Sequence, residues 1–226
     1  MNRAAALLAL QRAELCLLLT RSLCVREPLF VLEAALAQGA GLVQVREKQV
    51  PREELRQWVC TVLRLTRAAG VPLIVNDDPQ LALATGAEGA HVGAGDLEPR
   101  LVRALRGGEE LILGVSCHNR CEIERLTPLA DYAGLGALFK TSTRADTTPC
   151  PLDDVAAVDS LRLRPIFGIG GLDASTLPLA VAAGLSRAAV SSAICGSTDP
   201  AQTTAALRKI LAGTSDAGNG RVSRFP

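Results

Sequence analysis

Three cations and two carboxylates of this chain each follow a short apolar run, and together they could bind a phosphate and a divalent cation. The cations are Arg46, Lys48 and Arg144, and the carboxylates are Asp77 and Asp96. In proteins Mg²⁺ takes one or two carboxylates and completes its coordination with phosphate oxygens and water. Arginine and lysine neutralise the phosphate itself. The residue types therefore predict a magnesium and phosphate site if the fold brings these five side chains together.

The apolar runs recur along the chain, and segments with helical spacing lie between most of them. Such runs are typical of buried strands, and the segments between them are typical of helices packed on a sheet. The eight predicted strands are Leu15–Thr20, Leu42–Val45, Pro72–Val75, Gly89–Val92, Leu111–Val115, Asp131–Leu135, Pro165–Ile169 and Arg187–Ser191.

Helix boundaries are marked by proline, glycine and capping residues. The clearest predicted helix covers residues 52–69 and stops at Gly70, and a second covers residues 29–38. Asp173 and Asp199 are the predicted N-caps of two later helices. Alternation of strands and helices indicates an α/β fold with a parallel sheet.

Eight such units predict a single (β/α)8 TIM barrel, with a doubly wound open sheet as the rival architecture. The predicted barrel covers residues 1–212, and residues 213–226 are expected to form a disordered tail. A barrel carries its active site at the carboxyl ends of the strands, where the cations and carboxylates would converge. Gly170 and Gly171, with the turn after strand 8, also fit the phosphate site common in barrels after strands 7 and 8.

Each of these features also has a plainer interpretation. Residues 46–48 could be a solvated charge run, and Asp77 and Asp96 could cap helices. The glycines 170–171 could form only a tight turn, and His91 fits a structural histidine at a strand end. The joint pattern favours a site, because all these residues fall at strand ends of one barrel.

Composition narrows the classes of protein to which the chain could belong. The chain has 226 residues and a formal net charge of +1, whereas a protein that binds nucleic acid through bulk charge is more basic. No apolar run reaches the roughly 18 residues of a membrane span. Gln11, Arg12 and Glu14 interrupt the apolar N-terminal stretch and disfavour a signal peptide. We therefore expect small-molecule phosphorylated ligands, no nucleic acid and no membrane.

Seven cysteines without a Cys-x-x-Cys pair indicate free thiols and a reducing, cytoplasmic location. Cys117, His118 and Cys121 could be imagined as metal ligands, but no second ligand cluster with zinc spacing follows them. The sequence names no interface between subunits, although the outer helices of a barrel could support a homo-oligomer.

Seven segments of the chain form a specific pattern through their order and spacing. They are 44–48 (QVREK), 73–77 (LIVND), 89–93 (GAHVG) with Asp96, 114–118 (GVSCH), 131–136 (DYAGLG), 141–143 (TST) and 168–171 (GIGG). In this pattern the chain resembles the thiamine-phosphate synthase family, from about Leu15 to Ile194. The resemblance implies a transferase that joins hydroxymethylpyrimidine diphosphate to thiazole phosphate and gives thiamine phosphate and diphosphate.

The resemblance also implies a role for each site residue. Mg²⁺ would be the cofactor, held by Asp77 and Asp96. The residues that contact the diphosphate and carry the catalysis would be Arg46, Lys48, Ser116 and Arg144. The pyrimidine would be oriented by Gln44 and Asn76. The thiazole phosphate would be bound by Thr141, Thr143, Gly171, Ser191 and Ser192.

The sequence departs from the family pattern at several positions. Asp78 stands where the family has an arginine, so it could weaken diphosphate binding or add a metal ligand. Ala94 replaces a glutamine, Arg144 replaces a lysine, and Ala137 and Lys140 replace prolines. These changes leave two alternatives open. One is a paralogue resembling a thiazole tautomerase, which would use His118 as its base and need no metal. The other is a non-catalytic regulator that binds thiazole phosphate.

Overall fold

The computed structural model of the chain describes residues 1–140, 149–159 and 164–218. In this part of the chain eight parallel strands close into one barrel in sequence order, with β8 paired to β1. The predicted TIM barrel is therefore confirmed. The strands are β1 Leu15–Leu19, β2 Leu42–Val45, β3 Leu73–Asn76, β4 Gly89–Val92, β5 Ile112–Cys117, β6 Tyr132–Leu135, β7 Ile166–Ile169 and β8 Ala188–Val190.

Helices follow the strands and cover the outside of the barrel. The helices are α1 Arg3–Arg12, α2 Pro28–Ala37, α3 Arg52–Ala68, α4 Pro79–Thr85, α5 Pro99–Ala104, α6 Arg120–Leu126, α7 Leu152–Asp159, α8 Leu177–Ala182, α9 Ser192–Cys195 and α10 Pro200–Gly218. Short 3-10 turns occur at Arg21–Leu23, Gly108–Glu110 and Thr127–Leu129. Within the described ranges, no helix has both the length and the apolar character to cross a membrane.

The predicted capping residues act at two helix starts. Asp199 accepts a hydrogen bond from the backbone N–H of Gln202 (2.9 Å), so it caps α10 as expected. Asp173 accepts from the backbone N–H groups of Ser175 (2.8 Å) and Thr176 (3.0 Å), and it therefore caps the turn that leads into α8. Helix α10 continues beyond residue 212 to Gly218, and residues 219–226 lie outside the described residues.

Two apolar layers follow from the alternation of side chains along each strand. One layer lies between the sheet and the helices. It includes Leu17 and Val43 from the strands and Val59 from α3. The other fills the barrel interior, and its members are Cys16, Leu18, Leu42, Ile74, Ile112, Tyr132, Phe167 and Ala189, with Ala6, Leu10 and Ala13 at the amino end of the barrel.

Helix α1 closes the amino end of the barrel, and charged side chains fasten it there. Asp131 is buried at the start of β6 and accepts hydrogen bonds from Arg3 of α1 (2.9 Å), Arg103 (2.7 Å) and the backbone N–H of Leu113 (2.9 Å). A buried carboxylate with several charged and backbone donors is costly to remove, because the donors are left without a partner. This carboxylate therefore joins α1 to α5 and to β5.

We predict that Asp131→Ala lowers the free energy of unfolding by about 3 kcal/mol, because Arg3, Arg103 and the backbone N–H of Leu113 each lose a carboxylate acceptor. Urea unfolding measures this loss. Glu124→Ala is the matched control, since it removes only the exposed pair with Arg120 and should cost less than about 0.5 kcal/mol. Equal losses in the two variants would contradict the anchoring role of Asp131.

Candidate active site

A cleft with two connected lobes opens at the carboxyl ends of the strands. The first, the carboxylate lobe, has a volume of about 1000 Å³, and its polar lining includes Gln44, Arg46, Lys48, Asn76, Asp77, Asp96 and Ser116. The second, the glycine lobe, has a volume of about 820 Å³, and its lining includes Gly170, Gly171, Ser191 and Ser192. The lobes share Arg46, Ser116 and His118 and the apolar side chains of Leu18, Ile169 and Ala189. Two ligands could therefore meet inside one cleft.

The sheet positions the first residues of the carboxylate lobe. Gln44 is an inward-facing residue of β2 and is buried, so its amide faces the barrel interior. Arg46 follows the same strand. Its backbone N–H donates to the carbonyl of Leu19 (3.0 Å), and its own carbonyl accepts from the hydroxyl of Thr20 (3.0 Å). These bonds fix the backbone from which the Arg46 guanidinium reaches both lobes.

Asp77 and Asp96 lie together in this lobe, as the sequence predicts. Asp77 has a left-handed backbone (φ +65°), and its N–H donates to the carbonyl of His91 (2.8 Å). Lys48 forms an ion pair with the Asp77 carboxylate. Asp96 accepts from the backbone N–H of Gly93 (2.7 Å). Burial raises the pKa of Asp96, and the neighbouring Asp77 carboxylate raises it further. The two carboxylates are therefore close enough to repel each other.

The chemistry of this donor set fits Mg²⁺. The Asp77 carboxylate raises the pKa of the neighbouring Asp96. Two adjacent carboxylates attract a divalent cation, and hard oxygen donors suit Mg²⁺. Among the described residues, no group of three or more His, Cys, Asp and Glu side chains could enclose a metal ion. The Asp77 and Asp96 pair would thus supply only part of a coordination shell, which leaves positions for phosphate oxygens and water.

Asp78 faces away from this chemistry. Its carboxylate accepts a hydrogen bond from the backbone N–H of Leu81 (2.8 Å) and so caps α4. It also pairs with Arg52 at 3.5 Å, on α3. Asp78 is not among the residues that line either lobe. Its position next to Asp77 suggested that Asp78 weakens diphosphate binding or acts as an additional metal ligand. This geometry supports neither role.

The floor of the carboxylate lobe contains two residues that the sequence analysis did not assign to the site. His91 is buried and lies between the hydroxyls of Ser116 (2.9 Å from Nε2) and Tyr132 (3.0 Å from Nδ1). Burial lowers the pKa of His91 to about 4, so its imidazole is neutral near pH 7. Tyr132, the only tyrosine of the chain, packs edge-on against Phe167 and contacts Gln44. The available sequence signal was the inward register of both residues on their strands.

The glycine lobe is formed by the turn after β7 and the start of α9. Gly171 has a left-handed backbone (φ +65°), and a Cβ there would lie 2.6 Å from the carbonyl oxygen of Lys140. Only glycine fits this turn, which brings backbone groups to the lobe surface. Ser192 is the first residue of α9 and also lines the lobe. The hydroxyl of Ser191 donates to the carbonyl of Leu18 (2.8 Å), so this side chain is already engaged.

Three predicted site residues, Thr141, Thr143 and Arg144, lie outside the described residues.

His118 lines both lobes and is half exposed. Its ring Nδ1 lies 3.0 Å from a carboxylate oxygen of Glu122, and its backbone N–H donates to the same oxygen (2.8 Å). Partial burial raises the pKa of Glu122, but these hydrogen bonds outweigh that effect and lower the pKa overall.

Fold and cleft together define a (β/α)8 barrel with arginine, lysine and carboxylate side chains in a cleft at the carboxyl ends of its strands. Comparison with known proteins gives the family: the sequence profile described as thiamine monophosphate synthase matches residues 15–194. The chain is 41% identical over 184 residues to the thiamine-phosphate synthase of Laribacter hongkongensis, covering 78% of this chain and 84% of that one. It is 40% identical to that of Chloroflexus aurantiacus, covering 80% and 83%. The chain belongs to the thiamine monophosphate synthase family, whose members are transferases.

Solved structures agree with this placement. The chain resembles the thiamine phosphate pyrophosphorylase of Pyrococcus furiosus with a TM-score of 0.81 and 27% identity, covering 92% of this chain and 98% of that one. A 3-hexulose-6-phosphate synthase matches with a TM-score of 0.62 at 17% identity, covering 88% and 99%. The second likeness concerns the barrel fold alone.

We predict that Asp78→Ala destabilises the protein by about 1 kcal/mol, because α4 loses its N-cap. The Mg²⁺ concentration for half-maximal turnover should not change, because Asp78 does not line the cleft. Thermal unfolding and a Mg²⁺ titration of the initial rate measure the two effects. Asp77→Ala is the matched variant and should raise the Mg²⁺ requirement. A raised Mg²⁺ requirement in Asp78→Ala would contradict the position of Asp78 outside the cleft, and an unchanged stability would contradict its capping role.

Proposed function

We propose that this protein joins hydroxymethylpyrimidine diphosphate to thiazole phosphate and releases thiamine phosphate and diphosphate. The observation that carries the proposal is the two-lobed cleft, in which two carboxylates and two cations lie beside a second lobe built from backbone turns. One phosphorylated ligand would bind in each lobe, and the two ligands would react beside the apolar residues that the lobes share. Family membership supports the same reaction class.

The carboxylate lobe would take the diphosphate substrate. The bond between the pyrimidine methylene carbon and the diphosphate oxygen breaks, and its electron pair leaves with the diphosphate. Negative charge on the leaving group grows in this step, so fixed positive charge accelerates it. Arg46 and Lys48 supply that charge, and Ser116 supplies a hydrogen-bond donor. Mg²⁺ held by Asp77 and Asp96 would neutralise the diphosphate further when bound.

The departure leaves a pyrimidine carbocation, which the ring nitrogen of the thiazole captures to form the new C–N bond. Gln44 and Asn76 line the carboxylate lobe, and they would orient the pyrimidine ring. Water would compete with the thiazole nitrogen for the cation, so the cleft must exclude it. Leu18, Ile169 and Ala189 are common to both lobes and cover the junction with apolar surface.

The glycine lobe would take the phosphate of the thiazole. In many barrels this group binds to backbone N–H groups after strands 7 and 8 and to the start of a short extra helix. Gly171 and α9 provide that arrangement here. Ser191 would contribute through its backbone, because its hydroxyl is bonded to Leu18. Thr141, Thr143 and Arg144 keep the roles that the family resemblance implies for them. The cytoplasmic location and the homo-oligomer also stay predictions.

A second candidate activity is the thiazole tautomerase alternative, and one observation favours it. The carboxylate of Glu122 holds the imidazole of His118 at the junction of the two lobes, an arrangement suited to a general base. The Asp77 and Asp96 pair is the counterargument, because a proton shift makes no use of a diphosphate site. Family membership also favours the synthase.

We predict that Asp96→Asn lowers turnover by about 100-fold or more and raises the Mg²⁺ requirement, because it removes half of the carboxylate pair. Steady-state rates over a Mg²⁺ titration measure both effects. Glu98→Gln is the matched control, since it removes one exposed charge from the same loop outside the carboxylate lobe. A protein that forms no thiamine phosphate but tautomerises thiazole phosphate, with that activity unchanged in Asp96→Asn and lost in His118→Ala, would overturn the synthase proposal in favour of the tautomerase.

We predict that Ile169→Ser uncouples diphosphate release from product formation. The new hydroxyl admits water at the junction of the lobes, so part of the pyrimidine cation is captured by water and becomes hydroxymethylpyrimidine. The measurement is the ratio of diphosphate released to thiamine phosphate formed, with both substrates present. The ratio should rise above one in the variant. A slower variant whose ratio stays at one would contradict the water-exclusion role.

A further inference from the structure

A buried chain of hydrogen bonds runs across the floor of the carboxylate lobe from Ser116 to Gln44. Ser116 Oγ lies 2.9 Å from His91 Nε2, and His91 Nδ1 lies 3.0 Å from the Tyr132 hydroxyl. The side-chain N–H of Gln44 points at the same hydroxyl from 3.5 Å. His91 and Tyr132 are 8% and 2% exposed. The chain thus joins the residue proposed to meet the diphosphate to the residue proposed to orient the pyrimidine.

The tautomer of His91 gives this chain its direction. A neutral imidazole carries one proton, and the hydrogen bond at one ring nitrogen sets which nitrogen holds it. The Gln44 amide approaches the Tyr132 oxygen as a donor, which favours the arrangement in which the Tyr132 O–H donates to Nδ1. In that arrangement the proton of His91 is on Nε2, and Nε2–H donates to the oxygen of Ser116.

This direction determines what Ser116 offers to a ligand. In this arrangement its oxygen accepts from His91, so its own O–H is free to donate into the cleft. In the opposite tautomer Ser116 would donate its proton to Nε2 and would turn only lone pairs toward the lobe. A diphosphate oxygen can only accept hydrogen bonds. Only the first arrangement therefore makes Ser116 a partner for the leaving group.

We propose that Tyr132 and His91 are positioning residues that hold the Ser116 hydroxyl as a hydrogen-bond donor toward the diphosphate. The inference rests on the proposed function and deepens it, since it concerns the diphosphate substrate of the same lobe. Tyr132 acts through His91, and His91 acts through Ser116. Neither residue needs to touch the reacting atoms.

The neighbouring strand leaves room for this contact. Gly114 of β5 is paired in register with His91 on one side and with Tyr132 on the other. A Cβ at Gly114 would lie 2.5 Å from His91 Nδ1 and 2.2 Å from Tyr132 Cζ. Any side chain at this position would therefore separate the two rings. The edge-on contact between Tyr132 and Phe167, with ring centroids 5.8 Å apart, holds the tyrosine from the other side.

A double-mutant cycle tests the inference through the reaction. Tyr132→Phe keeps the ring and removes the hydroxyl, and we expect kcat/KM for the pyrimidine diphosphate to fall about tenfold. The KM for thiazole phosphate should not change. In a Ser116→Ala background the same substitution should have no further effect, because the hydroxyl that it orients is gone. Equal effects in both backgrounds would show a merely structural role and overturn the inference.

The tautomer of His91 can be determined by NMR, in an experiment that does not depend on catalytic activity. The chain has two histidines, His91 and His118. In protein labelled with ¹⁵N-histidine, the imidazole signals that remain after His118→Asn therefore belong to His91. Long-range ¹H–¹⁵N correlation should show His91 protonated at Nε2 in the otherwise unchanged protein, with a shift toward Nδ1–H in Tyr132→Phe. Protonation at Nδ1 before that substitution would overturn the inference. An unsubstituted protein without synthase activity would count against the proposed function and would leave the tautomer result standing.

Discussion

Hydrogen bonds between β8 and β1 close the sheet, and the position of every functional group follows from that closure. Cys16 pairs with Ala189 and Leu17 pairs with Val190, so the last strand lies beside the first. In a closed parallel barrel all the strands end at one rim. The closure brings the start of α9, after β8, to the same rim as Arg46, after β2. An open sheet would hold the two groups at separate edges.

Side chains alternate along each strand, so that outward residues pack against the helices and inward residues face the barrel interior and the cleft. Outward residues such as Val43 and Val75 pack under the helices, while inward residues fill the barrel. Near the amino end the inward residues are apolar, and α1 covers them. Near the carboxyl end they become Gln44, His91 and Ser116, which have polar partners inside the cleft. The same strands thus supply a dry interior and, a few residues later, a polar floor.

Electrostatics in the carboxylate lobe depends on groups of both signs held close together. Asp96 binds a proton more tightly than a free carboxyl group, because it is partly buried and faces Asp77. Lys48 offsets part of this repulsion through its ion pair with Asp77. A divalent cation and a diphosphate would extend the same pattern of alternating charge.

The strands were predictable because continuous apolar runs separated by helical spacing leave few alternatives. The sequence of helix α1 lacks a clear apolar face, since its leucines are spread around the helix and Leu8 is 49% exposed. Because Asp78 follows Asp77 in the sequence, a role in the site was also expected for it, and the structure does not support that role. The left-handed backbone at Asp77 separates the directions of the two carboxylates, and Asp78 caps α4. In the sequence, a single tyrosine that faces the barrel interior looks like an ordinary core residue. Its link to the site depends on its hydrogen bond with His91, which only the structure shows.

The most direct test of the account is product formation by the purified protein. The protein is incubated with hydroxymethylpyrimidine diphosphate and thiazole phosphate in the presence of Mg²⁺, with and without a chelator, and thiamine phosphate is measured. The account predicts thiamine phosphate that depends on both substrates and disappears with the chelator. No thiamine phosphate from a folded protein that still binds thiazole phosphate would contradict it.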